Sequence, residues 1–318
     1  MNKPTNIDVL IAGQGAAAFS AGLYSVRYQM KTAVVGELFG GETAIGGLIE
    51  NYPGQPDIDG FDLMMKFKEQ VENLGTEIVS SDLKFVKNNI NGGFDCILEN
   101  GTLYETTSVI LAMGRERRKL GLNNEEEWMG KGVSYCSTCD APLYRGKESV
   151  AVVGGGNAAV EGAILLSKYA KTVYLIYRGD KFFRPEPMLL EILYSTKNVK
   201  ILLETNITGL LGDENKGLMG VQLDRDFKKR DSITLDGLFV EAGADPRLDI
   251  PNQLELAIND KTGEVHVDKH QRTSRIGIYA AGDLTDGSEL KQTITAASQG
   301  AVAALSAYQN VLKQQVKS

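Results

Sequence analysis

The strongest periodic signal in this chain is an apolar run, broken by glycines and resumed at helical spacing. Residues 7–12, Ile-Asp-Val-Leu-Ile-Ala, form the near-continuous apolar stretch that a strand buried on both faces requires. Gly13-Gln14-Gly15-Ala16-Ala17-Ala18 follows, and then a helical pattern over 19–30 and a second apolar strand at 32–35. The same order returns further on. A strand at 149–153 leads into Gly154-Gly155-Gly156-Asn157-Ala158-Ala159, a helix over 159–169 and a strand at 173–177.

Between and after these repeats the pattern changes. Phe61, Met64, Met65, Phe67 and Val71 predict a helix over 61–73 whose apolar side packs into a core. Residues 76–105 read as a small antiparallel meander, with turns at Asn91-Gly92-Gly93 and Asn100-Gly101. A buried strand at 109–113 ends at Gly114. Short strands at 199–203, 207–211, 218–224 and 232–241 predict a second meander, and the ending at Gly243 repeats that at Gly114. Residues 40–54 are too rich in turn formers for regular structure. Residues 115–130 are densely charged and read as a solvated crossover, with Trp128 as a packing residue. Residues 276–283 predict a strand ending in Gly282-Asp283, followed by an alanine-rich helix from 291 to 308 or beyond. The fold class is α/β, with two doubly wound dinucleotide-binding domains, each carrying a small antiparallel meander.

Composition narrows the class. A chain of 318 residues suits two domains. No run approaches the ~18 apolar residues of a membrane span, and the N terminus lacks the apolar core of a secretory signal. These features predict a cytoplasmic protein. The net charge of −7 argues against nonspecific nucleic-acid binding.

The chemistry lies in the glycine turns and in one cysteine pair. In each G-x-G-x-x-A turn the glycines allow a tight bend and bring backbone N–H groups to a pyrophosphate at the helix start. That assigns Gly13, Gly15 and Ala16 to one dinucleotide, and Gly154, Gly156, Asn157 and Ala158 to another. Glu37 stands where an acidic residue would hold a ribose hydroxyl, and a solvated loop carboxylate is the alternative reading. Between the turns lies Cys136-Ser137-Thr138-Cys139-Asp140. This spacing lets the sulfurs close a tight disulfide. So short a loop adds little stability, and redox chemistry explains the pair better than stapling does. Half of a zinc site is the competing reading, but a tetrahedral site needs four ligands and the chain has only one other cysteine, Cys96, with His266 and His270 far along the sequence. Cys96 reads as a buried small hydrophobe, and both histidines as surface residues. Two dinucleotides and a cysteine pair suggest a relay from nicotinamide to flavin to disulfide. Flavin suits the first site because the chain returns there with its Gly282-Asp283 strand. Cys139 would face the flavin. Cys136 would be the exposed thiolate that attacks an outside disulfide. Asp140 would exchange a proton with a leaving thiolate, or simply cap the following turn.

In this order the motifs resemble those of low-molecular-weight thioredoxin reductases over nearly the whole chain. The family's Cys-Ala-Thr-Cys-Asp is similar to residues 136–140, its Glu-Asn-Tyr/Trp-Pro-Gly to 50–54, its Gly-Gly-Gly turn to 154–156, and its Ala-Ala-Gly-Asp to 280–283. The resemblance implies FAD in a discontinuous domain, 1–116 with 247–318, and NADPH in an inserted domain, 117–246, that carries the cysteine pair. It implies FAD contacts at Gly13, Gly15, Ala16, Gly41, Asn51, Gly282, Asp283 and Gln292, and Glu37, Glu42, Gly114, Lys291 and Thr293 are expected at the same site. It implies NAD(P)H contacts at Gly154, Gly156, Asn157, Ala158, Arg178, Arg184 and Gly243. It also implies a homodimer, and thioredoxin or a glutaredoxin-like protein as partner.

This chain departs from the family in places. Glu42 replaces the usual Gln, Lys291 the usual Arg, and Asn157-Ala158-Ala159 the usual Asp-Ser-Ala. The family's His-Arg-Arg-Asp-x-Phe-Arg reads Tyr177-Arg178-Gly179-Asp180-Lys181-Phe182-Phe183-Arg184, with one arginine lost and another displaced. Those arginines hold the 2′-phosphate of NADPH, so NADH is open as a donor. A flavin-dependent dithiol oxidase and a reductase fed by a non-nicotinamide donor are the alternatives.

Overall fold

The computed structural model describes residues 4–90, 92–182, 184–227 and 230–315. Asn91 of the expected 91–93 turn and Phe183 of the 177–184 motif lie outside them. The chain divides into two compact units, Met1–Glu116 with Pro246–Ser318, and Arg117–Asp245.

The first unit is built on a parallel sheet ordered Glu77–Val79, Thr32–Val35, Thr5–Ala12, Leu103–Leu111, with Ile278–Ala280 on the far side of Leu103–Leu111. Alternate residues of the first strand feed opposite cores. Val9 and Ile11 pack with Phe19 and the alanines of the last helix, and Leu10 and Ala12 with Leu111 and Ile250. This is why the run at 7–12 carries almost no polar positions. The helix Ala16–Arg27 lies against the alanine-rich helix Thr293–Gln315. A Cβ on Gly300 would sit 2.1 Å from the Ala17 carbonyl oxygen, so only small residues allow that approach.

The second unit repeats the plan. Val133–Ser134, Gly237–Val240, Ser149–Val153, Thr172–Ile176 and Val199–Leu202 form a five-stranded parallel sheet in that order. Val150 and Val152 face the helix Asn157–Leu166, and Ala151 faces the core that holds Trp128. A separate antiparallel sheet, Ile207–Asp213, Gly217–Phe227 and Arg230–Thr234, follows.

Several sequence expectations need correction. Glu77–Val79 is not part of a meander but the parallel edge of the first sheet. The strands Leu83–Asn89 and Gly93–Leu98 grow antiparallel from the free edge of the first half of Leu103–Leu111, while its other edge pairs parallel with Thr5–Ala12 along nearly its whole length. Val199–Leu202 is likewise a parallel edge strand, and 232–241 is two strands split at Leu235-Asp236. The 40–54 stretch contains regular structure: a helix Gly41–Ile45 and a ladder between Leu48–Ile49 and Ile58–Asp59. Gly40, Gly41 and Gly47 adopt positive φ there, which supplies the bends that make short elements fit.

The charged crossover is not simply solvated. Arg115–Arg117 pairs as a strand with Ala244–Pro246. Glu125 is buried and accepts hydrogen bonds from the N–H groups of Leu120, Gly121 and Leu122 and from the Tyr135 hydroxyl. Burial alone would raise its pKa, but these donors outweigh it and hold the carboxyl below its usual range.

Candidate active site

In the first unit, the glycine turn closes directly after the first strand. Gly13 has φ +121°, and a Cβ there would lie 2.2 Å from the Ala112 carbonyl oxygen. Gly15 precedes the helix Ala16–Arg27, which starts without a side-chain cap. Gly41 comes against it, since a Cβ on Gly41 would sit 3.5 Å from the Gly15 Cα. Asn51 donates to Gln292 at 3.1 Å, and Thr43 Oγ1 lies 3.1 Å from Thr293 Oγ1. The 40–54 segment and the last helix, far apart in sequence, therefore meet here. Gly282 donates its N–H to Gln299 at 2.7 Å. Asp283 is pushed up by burial; the Lys291 and Arg115 charges counter this, and Glu264 and Glu42 add to it. Lys291 and Arg115 both pair with Glu264, at 2.9 and 3.4 Å. Glu37 is exposed two residues past the strand Thr32–Val35, and its N–H donates to Asp82. Gly114 takes φ +66° three residues past Leu111.

The second unit carries an equivalent turn. Gly154 has φ +151°, and a Cβ there would lie 2.1 Å from the Glu241 carbonyl oxygen. Gly156 opens into free space, and the helix Asn157–Leu166 also starts without a side-chain cap. The Asn157 amide is held by Glu186, whose N–H donates to its Oδ1 at 2.9 Å. Ala158, Arg178 and Arg184 are exposed. Gly243 has φ +95°, and its carbonyl accepts from the Arg118 N–H.

The two turns align through one hydrogen bond. Gly13 N–H donates to Val35 O, and Gly154 N–H to Ile176 O. Val35 therefore matches Ile176, Gly36 matches Tyr177 and Glu37 matches Arg178. The gap beside each turn is filled from opposite sides. Gln14 folds over Gly36 and donates to its carbonyl. Tyr177 folds over Gly155, where a Cβ would meet its ring at 2.1 Å. Sequence reasoning missed both plugs; overlaying the repeats would have found them. Tyr177 also covers Gly179, where a Cβ would lie 2.6 Å from the ring, and it stacks on Phe182.

Cys136 and Cys139 are joined in a disulfide, with Cα atoms 5.3 Å apart. Cys136 caps the short helix Ser137–Asp140, and its Sγ accepts the Cys139 N–H at 3.1 Å. The order of exposure is the reverse of the expectation: Cys136 is half-buried and Cys139 exposed. The reason is the cap, which turns the Cys136 sulfur back into its own turn. Asp140 makes no capping hydrogen bond to the turn Ala141–Tyr144. Its charge instead acts on Tyr144, whose phenol is pushed up first by burial and then by Asp140 and Asp236. Cys96 is buried and free, with its thiol pushed up to about 12 by burial and by Asp95.

Paired glycine turns, repeated sheets and a Cys-x-x-Cys disulfide are the parts of a flavin-linked disulfide enzyme. The family model for pyridine nucleotide-disulphide oxidoreductases matches residues 7–300. The chain belongs to that family. A thioredoxin reductase of Coxiella burnetii is 35% identical over 318 residues, covering 96% of this chain and 97% of that protein. The Lactococcus lactis thioredoxin reductase structure superposes with a TM-score of 0.89 at 31% identity, covering 96% of this chain and 99% of the other. A ferredoxin-flavin thioredoxin reductase from Clostridium acetobutylicum superposes with a TM-score of 0.53 at 31% identity, covering 99% of this chain and 100% of the other.

Family membership implies FAD and a pyridine nucleotide, and the residues present fit both. Each turn ends in a glycine beside an uncapped helix start. Above Gly15 the nearest atom to a Cβ is the Gly40 carbonyl oxygen at 4.0 Å, and above Gly156 there is nothing within 4 Å. Such a start offers unpaired backbone N–H groups to a phosphate.

Proposed function

We propose that this family member is a cytoplasmic thioredoxin-disulfide reductase, acting as a homodimer, with FAD held by the first unit and NADPH by the second. The redox disulfide at Cys136 and Cys139 carries the reading. FAD, when bound, supplies the two-electron link between the nicotinamide and that disulfide. The chain's own residues do the rest. Gly13, Gly15 and Ala16 present backbone to the FAD pyrophosphate, and Asp283 and Glu37 offer carboxylates to its hydroxyls. Gly154, Gly156 and Asn157 do the same work for the coenzyme phosphates. Once the pair is reduced, the Cys139 N–H favours negative charge on Cys136, so the Cys136 thiolate attacks the partner's disulfide and expels one partner thiolate. The Cys139 thiolate then displaces the second partner sulfur from Cys136, which releases the reduced partner and restores the disulfide. Asp140, free of the cap role, supplies and recovers the proton of the leaving thiolate. The partner is thioredoxin or a glutaredoxin-like protein.

NADPH is favoured by the match of Arg178 to Glu37. One unit places a carboxylate, suited to ribose hydroxyls, where the other places a guanidinium, suited to a 2′-phosphate. We expect Arg178→Glu to lower kcat/KM for NADPH relative to NADH by about tenfold or more, since charge-assisted hydrogen bonds contribute roughly 1.5–3 kcal/mol. Steady-state thioredoxin reduction with each coenzyme measures this, and an unchanged ratio removes Arg178 from coenzyme choice. The second reading is a reductase with a protein electron donor. It is favoured by the cover that Tyr177 places over Gly179, which leaves Arg178 as the one arginine of the family's pair, and by the likeness to a ferredoxin-flavin thioredoxin reductase.

A further inference from the structure

The two units use the same strand-end position in different ways. The carbonyl beneath the first glycine belongs to Ala112 in one unit and to Glu241 in the other. Ala112 shows that the fold needs no charge there. Yet the Glu241 side chain is only 9% exposed and makes specific bonds. Its Oε1 accepts the Ser137 hydroxyl at 2.8 Å and the Ser137 N–H at 3.3 Å. Its Oε2 lies 3.7 Å from the Arg117 guanidinium. Ser137 directly follows Cys136 and is buried against Gly162, where a Cβ would come within 2.6 Å of its Oγ. A largely buried carboxylate thus holds the redox turn.

We propose that Glu241 is a positioning residue for the cysteine pair. It fixes the turn through Ser137, and its charge, balanced by Arg117, sets how much reactive thiolate the reduced pair carries. This rests on the reading that the pair cycles. A nearby negative charge disfavours a thiolate, and a nearby positive charge favours it. The other titratable groups of the turn and its packed neighbours are Asp140, Tyr144 and Glu161 on the helix Asn157–Leu166. They are the same in every variant below.

The two partners of the ion pair should act in opposite directions. Lowering a thiol pKa by one unit raises the thiolate fraction tenfold below that pKa, while the thiolate becomes a weaker nucleophile, so the net gain is about threefold. The test is the rate of iodoacetamide alkylation of Cys136 in the reduced holoenzyme at pH 7, read by mass spectrometry, with flavin absorbance as the check on folding. Glu241→Gln keeps the one acceptor oxygen that both Ser137 donors use and is expected to react about threefold faster. Arg117→Gln is expected to react about threefold slower. A structural role alone would move both variants the same way, and that result, or no change in either, overturns the proposal. If Arg117→Gln fails to fold, Glu241→Gln decides alone, and an unaccelerated rate overturns it. Alkylation needs neither donor nor partner, so its outcome is separate from any failure of thioredoxin turnover.

Discussion

Replacing Cys139 by serine is expected to abolish thioredoxin reduction while leaving reduction of the flavin by NADPH intact. The two steps use different parts of the chain. In the proposed reading flavin meets the turn at Gly13–Gly15 and the coenzyme the turn at Gly154–Gly156, and neither turn contains a sulfur. Every electron that reaches the partner must pass through the pair. With Cys139 gone, Cys136 can form a mixed disulfide with the partner but has no neighbouring thiolate to release it. With Cys136 gone, no mixed disulfide forms. Both variants should fold, because the disulfide closes a loop of three-residue separation, whose effect on the unfolded chain is small. We expect turnover to fall by at least about a thousandfold in each, the scale at which loss of an essential group leaves only background chemistry. Stopped-flow bleaching of the flavin by NADPH should keep its wild-type rate. Thioredoxin turnover retained in either variant contradicts the assignment of the pair.

Gly13→Ala is expected to yield protein without flavin. Two penalties coincide at this residue. A φ of +121° is closed to an L side chain, and the added Cβ would lie 2.2 Å from a backbone oxygen in the buried strand end at Ala112. Neither atom can yield without breaking the join between the strand Thr5–Ala12 and its neighbour Leu103–Leu111. Gly101 is the control. It also has positive φ, at +83°, but opens into free space, so Gly101→Ala carries only the backbone cost of about 1–2 kcal/mol. Flavin content per chain, read from the visible spectrum, separates the two. A yellow Gly13→Ala protein with normal flavin content would contradict the placement of FAD at this turn.

The parts legible in the sequence are those with long apolar runs or repeated punctuation. The strands Thr5–Ala12 and Ser149–Val153, their glycine turns and the helices after them stand out because the buried parts of both strands, 9–12 and 150–152, are wholly apolar. The capped helix Gly60–Glu72 was equally plain, with the Asp59 carboxylate accepting the Phe61 N–H. The elements that stayed hidden are short. A two-residue ladder such as Leu48–Ile49 with Ile58–Asp59 has no periodicity to detect, and Glu77–Val79 reads the same whether it pairs parallel or antiparallel.

Buried charges were hidden for a different reason. Glu125 looks like one of three consecutive surface glutamates, and only its hydrogen bonds to 120–122 and Tyr135 make burial affordable. Glu241 looks like an ordinary residue after a strand until Ser137, 104 positions away, is seen against it. Exposure of the cysteines was misjudged because the cap that turns Cys136 inward is a property of the folded turn, not of the spacing. The comparison of Glu37 with Arg178 needed only the internal repeat, once the strand registers fixed the alignment.

The most direct test of the whole account is an anaerobic titration of the flavin-loaded protein with NADPH, following flavin absorbance and the free thiols of Cys136 and Cys139 together. The account predicts uptake of one equivalent for the flavin and one for the disulfide, with the flavin bleached and both cysteines open to alkylation, and reversal of both by oxidised thioredoxin. Bleaching without new thiols would contradict the relay. If neither NADPH nor NADH bleaches the flavin while a reduced protein donor does, the second unit does not carry the coenzyme, and the protein-donor reading replaces the one proposed.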